Sequence, residues 1–165
     1  MFRSGIINST IVATIVTVLT VAIGSLSAYV FARIRFPFKN ALFFMILFAR
    51  ALPPVSIVIP YYQLYSNLDL LGTHIGLILV YLSLTVPLVM WVLTGFFSSL
   101  PIEIDRAARV DGCSRIQFLA RVFIPMAAPG IAASAVLAFL TSWNEFLFSL
   151  LLASGSGLFT LPPAI

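Results

Sequence analysis

Long stretches of this chain carry no charged residue, among them Ser4 to Ala32, Ala51 to Leu68, Leu70 to Ile102 and Val122 to Asn144. A helix that crosses a bilayer needs roughly 20 mostly apolar residues. Spans are therefore predicted at about Asn8–Phe31, Ala41–Tyr62, Ile75–Phe97 and Pro129–Leu152. Composition agrees: 61% of the residues are hydrophobic and 8% are charged, whereas a soluble domain carries about 25% charged residues to cover its surface. Lipid leaves backbone groups no outside partner, and the runs show none of the alternation of barrel strands, so the spans are read as helices. The expected fold class is an all-α integral membrane protein, a bundle of about four transmembrane helices in a single domain, residues 1–165. The opening Met1-Phe2-Arg3 resembles the start of a signal peptide, but the apolar run behind it is too long for one and is read as a span.

The net charge of +4 is distributed as topology requires, not as nucleic-acid binding would. Arg33, Arg35 and Lys39 lie between the first two spans, and Arg106, Arg109, Arg115 and Arg121 between the last two. Basic residues in short loops mark the cytoplasmic face, so both loops are expected in the cytosol and both chain ends outside. Cys113 is the one cysteine, and no disulfide framework is possible.

Small residues suggest where helices touch. Gly130, Ser134, Ala138 and Ser142 recur every four residues, and Thr10, Thr14, Thr17, Gly24 and Ala28 line the first span; both sets suit close packing of membrane helices. Pro53, Pro54 and Pro60 each remove a backbone donor from the second span. Such a break is tolerated only against protein or a water-filled cavity, so its outer half is expected to line a path or pack centrally. The segment from Ser154 to Pro163 reads as an external loop.

The loop at 100–125 is the one strongly charged segment. Pro101 suits a first helical turn, Gly112 a helix end at positive φ, and Ser114-Arg-Ile-Gln117 has capping-box spacing. Two short helices are expected, the second closed by Pro125. Ala107 and Ala108 should expose backbone on the first, and Ile116, Leu119, Val122 and Phe123 should form an apolar stripe on the second. Such a stripe could also lie on the inner membrane surface.

Within this loop, Ala107-Ala108, three residues, Gly112, nine residues, Val122, Phe123 and Ile124-Pro125 keep a known spacing. It resembles the Glu-Ala-Ala–Gly–Ile–Leu-Pro signature of permease subunits of binding-protein-dependent ABC importers. Asp111 beside Gly112 is also usual there. Arg50-Ala-Leu-Pro-Pro54, His74-Ile-Gly-Leu-Ile-Leu-Val-Tyr81 and Trp143-Asn-Glu-Phe146 are similar to the sugar-importing branch, and most so to the second permease subunit of maltose-type systems. One position departs from the pattern: Arg106 stands where the family has glutamate, with the acid shifted to Asp105. The family has six helices, and this chain resembles the second to fifth, so the first and last are expected to be absent from it.

The resemblance implies a multi-pass permease in a bacterial or archaeal inner membrane. Its implied partners are a cytosolic ABC ATPase dimer, a second permease subunit, an extracytoplasmic solute-binding protein, a sugar substrate and membrane lipid. The coupling contacts to the ATPase would come from Asp105, Arg106, Ala107, Ala108, Asp111, Gly112, Val122, Ile124 and Pro125. Arg50 and Glu145 are costly within a span and should face protein or water; they could pair with each other, or line a sugar path with Tyr81, Trp143 and Asn144. No cofactor is expected. The one lysine, Lys39, follows Phe38 and cannot belong to a phosphate-binding P-loop, and one His74 with one Cys113 cannot build a common zinc site. An intramembrane enzyme would need paired catalytic groups at membrane depth, and the spans offer one glutamate and no aspartate. Another solute, such as a sugar phosphate or peptide, and a piece that inserts without transporting, both stay open.

Overall fold

The computed structural model describes residues 2–153, 158 and 160–164. They form helices α1 (Phe2–Arg33), α2 (Lys39–Ala51), α3 (Pro54–Asn67), α4 (His74–Ser99), α5 (Glu103–Val110), α6 (Arg115–Phe118), a π-turn (Leu119–Phe123), α7 (Ile124–Trp143), α8 (Leu147–Leu152) and α9 (Leu161–Ala164). Among the described residues, three continuous helices are long and apolar enough to cross a membrane, namely α1, α4 and the run Arg115–Trp143.

Two ends of the bundle can be told apart by their contacts. At one end, Arg33 reaches the Leu100 carbonyl and Asp105, so both basic loops share a side. At the other, His74 meets Asn8, the Gly72 N–H donates to the Leu152 carbonyl, and the Leu161 N–H donates to Ser9. The chain must therefore cross between Arg33 and His74, and α2 with α3 makes that crossing as one broken span. Their axes differ by 91°. The expected second span, Ala41–Tyr62, is thus two helices. Pro53 and Pro54 make the break: Pro53 is extended, and Pro54 occupies the first helical position, where its missing N–H costs nothing.

The fourth span needs a larger correction. The expected span is Pro129–Leu152, with Pro125 closing the short helix before it. Instead α6, the π-turn and α7 run on from Arg115 to Trp143. The Ile124 N–H reaches back to the Leu119 carbonyl, five residues away. That wider turn relieves the clash a proline ring makes with the preceding turn, and Pro125 sits inside the first turn of α7. The helix ends instead at Asn144, before α8. Of the expected external loop Ser154–Pro163, residues 154–157 and 159 lie outside the described residues; Thr160 is buried and hydrogen-bonded to Ser149.

The core is built where α1, α4 and α7 meet. Gly130, Ser134, Ala138 and Ser142 are all buried, as their spacing predicts. On α1 the small-residue reading holds for Gly24 and Ala28, which are buried, but Thr10 and Thr14 face outward. Thr10 and Thr17 satisfy their hydroxyls on their own helix, at the Ile6 and Ala13 carbonyls. The threonine that joins helices is Thr20, hydrogen-bonded to Thr85 of α4 at 2.6 Å. Such bonds contribute only about 0.6 kcal/mol in membranes, so close packing at Gly24 matters more. A Cβ there would lie 2.8 Å from Val89 Cγ1.

Two outcomes follow. Gly24→Val should destabilise the bundle by about 1–3 kcal/mol through overpacking, read as a lower thermal unfolding midpoint in detergent, whereas Thr10→Val on the outer face should leave it unchanged. Cys113 should react with a membrane-impermeant maleimide in inside-out vesicles and stay unlabelled in right-side-out ones.

Candidate functional site

The 100–125 loop is held at the basic end of the bundle by one buried arginine. Arg33 ends α1, so its side chain emerges where helix and loop meet. Its Nη2 donates to the Leu100 carbonyl at 2.9 Å. Its Nε lies 3.4 Å from Asp105 Oδ2, with the two side chains only 8% and 11% exposed. The guanidinium also stacks over the Phe123 ring, 5.4 Å from its centroid. Charge pairing at this burial strengthens because water is excluded, and the aromatic face adds a cation–π contribution.

Phe123 is the second anchor. Its ring packs edge-on against Tyr29 of α1 at 5.1 Å and Phe97 of α4 at 4.9 Å, and lies 5.8 Å from Phe118 of α6. Because Phe123 sits on the π-turn, the extra residue in that turn sets its direction as well as accommodating Pro125. The expected apolar stripe is therefore split. Phe123 is buried, Leu119 and Val122 pack half-buried beneath it, and Ile116 is 80% exposed on the opposite side. Phe118, absent from the stripe, takes the inward position.

The residues expected to couple divide in the same way. Asp105 and Ala108 face inward, Ala108 joining the core with Phe97 and Phe118. Ala108 is thus no part of an exposed backbone surface. Arg106, Ala107 and Asp111 are exposed, as is Val110 at 87%. Gly112 is exposed, with φ +76° and open space where a Cβ would stand. The capping box at Ser114 is formed in both directions: the Gln117 N–H donates to Ser114 Oγ and the Ser114 N–H to Gln117 Oε1. Val122 is half-buried, and Ile124 and Pro125 are exposed on the first turn of α7.

The intramembrane charges serve two separate helix breaks. Among the described residues the ion pair is Arg33–Asp105; Arg50 and Glu145 do not pair with each other. Arg50, at the end of α2, donates to the Leu84 carbonyl of α4. Glu145 accepts from the Phe148 and Ser149 N–H groups, both at 3.1 Å, and so caps α8. Asn144 closes α7, donating from its side chain and backbone to the Leu140 carbonyl. Trp143 is half-buried and stacked on Phe139 at 5.5 Å. Tyr81 is buried beside Glu145, Ser149 and Thr160, its hydroxyl without hydrogen-bond geometry to a protein atom. The suggested path residues thus gather only in part, with Tyr81 beside Glu145 and Arg50 held one turn further along α4. Sequence reasoning overlooked Arg33 and Phe118 as anchors; the cue for Arg33 was its place as the first charged residue after the run Ser4 to Ala32.

A model of the family described as binding-protein-dependent transport system inner membrane component matches residues 20–165. The trehalose transport system permease protein of Mycobacterium tuberculosis is 36% identical over 165 residues, 100% of this chain and 60% of that protein. The trehalose/maltose transport system permease protein of Thermococcus litoralis is 36% identical over 158 residues, 96% of this chain and 57% of that protein. Among solved structures, a bacterial ABC transporter involved in the import of the acidic polysaccharide alginate shares the fold, with TM-score 0.81 at 21% identity over 98% of this chain and 55% of the other. The chain spans a little over half the length of these proteins.

Removing one partner of a buried ion pair costs about 3–5 kcal/mol, because the other charge is left uncompensated. Asp105→Asn should lower stability by that order, read as early proteolysis of the 100–125 loop. Arg106→Gln, on the exposed face, should change it by less than about 0.5 kcal/mol.

Proposed function

Because the chain belongs to the family of inner membrane components of binding-protein-dependent transport systems, we propose that it forms part of the permease of an ATP-driven importer for a sugar or oligosaccharide. Its partners would be a cytosolic ABC ATPase dimer, a second permease subunit and an extracytoplasmic binding protein that delivers the solute. ATP hydrolysis belongs to the ATPase subunits.

The observation that carries the coupling role is the two-sided loop. Its inner face is pinned to the spans by Arg33, Asp105, Ala108 and Phe123. Its outer face offers Arg106, Ala107, Val110, Asp111 and Gly112 to the cytosol. A lever needs both: a surface to be pushed and a rigid attachment that passes the push to α1, α4 and α7. With Arg106 on that surface, the groove that receives it must tolerate a positive charge where the family presents a carboxylate.

The sugar reading is supported by relatives named for trehalose and maltose transport and by residues that suit a polar path. Arg50 lies exposed at the bend between α2 and α3. A charge there is costly against lipid, so this bend would face the second subunit or the water-filled path, with Tyr81, Trp143, Asn144 and Glu145 near its outer end.

Gly112 gives a graded test. Alanine there meets no atom but must adopt positive φ, at a cost of about 1–2 kcal/mol; proline cannot adopt it at all. Co-purification of the ATPase with the full-length permease should weaken in Gly112→Ala and disappear in Gly112→Pro. Undiminished recovery with Gly112→Pro would refute the docking role. In the assembled complex, disaccharides with their binding protein should stimulate ATP hydrolysis; stimulation by peptides alone would refute the sugar assignment.

A further inference from the structure

A cavity of about 270 Å³ opens at the cytoplasmic end of the bundle, between the end of α1 and the starts of α5 and α6. Its walls include Tyr29, Arg33, Arg35, Ile102, Asp105 and Arg115. Three arginines and one aspartate thus line the cavity, and that carboxylate is already matched by Arg33 at 3.4 Å. Arg35 and Arg115 form no ion pair among the described residues. Arg33 Nε is buried and lacks hydrogen-bond geometry to any protein acceptor. The cavity therefore carries an excess of about two positive charges, with planar donors suited to phosphate oxygens.

We propose that this cavity binds the phosphate of an anionic phospholipid headgroup from the cytoplasmic leaflet. Its position selects the lipid over a cytosolic protein. The cavity lies on the Asp105 side of α5, which faces the bundle, whereas Arg106, Ala107 and Val110 turn the other side outward. It opens where α1 leaves the membrane, beside Tyr29 and Ile102, a mixture of aromatic, apolar and basic groups that matches the headgroup layer. Basic pockets between span ends on the cytoplasmic side are suited to anionic headgroups. The lipid would bridge α1 to α6 through Arg35 and Arg115, adding a second tie beside the Arg33–Asp105 pair. The site depends only on the orientation of the chain in the bilayer, not on transport.

The test uses the full-length protein in nanodiscs containing phosphatidylglycerol and phosphatidylcholine, with retained lipid read by native mass spectrometry. Arg35 and Arg115 are exposed and outside the core, so the Arg35→Gln/Arg115→Gln pair should fold. Retained phosphatidylglycerol should fall about fivefold for each arginine removed. Arg106→Gln/Arg121→Gln removes the same charge from the same end of the bundle, outside the cavity, and should leave retention unchanged. Equal loss in both double variants would overturn the site in favour of a diffuse basic surface, and no loss in either would overturn it outright. Displacement of the lipid by millimolar inorganic phosphate would overturn the lipid assignment and leave a site for free anions.

Discussion

The contact between Arg33 and the 100–125 loop governs how the membrane and cytosolic parts of this chain relate. Without it, α5 would keep only its apolar contacts to the bundle through Ile104 and Ala108. With it, one guanidinium reaches the Leu100 carbonyl, the Asp105 carboxylate and the Phe123 ring, and so ties the end of α1 to the end of α4, to α5 and to the π-turn. The side chain gives up hydration to do this, a penalty that only good geometry and several partners can offset. The aromatic cluster around Phe123 supplies the apolar wall that keeps water out.

A second constraint acts inside the membrane. Lipid offers no partner for a backbone group, so every helix break must be closed from within the protein. The break after Trp143 is closed by adjacent residues acting in opposite directions. Asn144 donates to a carbonyl at the end of α7, and Glu145 accepts from the N–H groups that open α8. The α2–α3 break is handled differently: prolines remove the donors that would otherwise be left bare, and Arg50 anchors the bend to Leu84. An intramembrane carboxylate thus has a structural task as well as any it has in solute passage.

Much of the architecture was legible because hydrophobic run length and helical spacing are local. The spans at α1 and α4, the shared side of the basic loops, the capping box at Ser114, the positive φ at Gly112 and the buried ridge from Gly130 to Ser142 all follow from neighbouring residues. What escaped depends on contacts between distant segments. Pro125 reads as a helix stop unless the preceding turn is known to widen. Arg33 reads as a topology signal until Asp105, far along the chain, is found beside it. Ala108 and Ala107 are adjacent in the motif, yet helical geometry turns one inward and the other out. Arg50 and Glu145 looked like each other's counter-ions because each was the odd charge in its span, but each had a nearer backbone partner.

The central claim is that Arg33 fixes the loop to the spans, so that force on the outer face of α5 moves the membrane helices. Hydrogen exchange of the α5 amides in the full-length protein tests this most directly. If Arg33 is the tie, amides of Arg106 to Val110 should be protected as well as those at the cytoplasmic end of α4, and Arg33→Gln should accelerate their exchange while leaving the middle of α4 unchanged. Equal α5 exchange in the parent and in Arg33→Gln would show that the loop is held by something else, and would contradict the account.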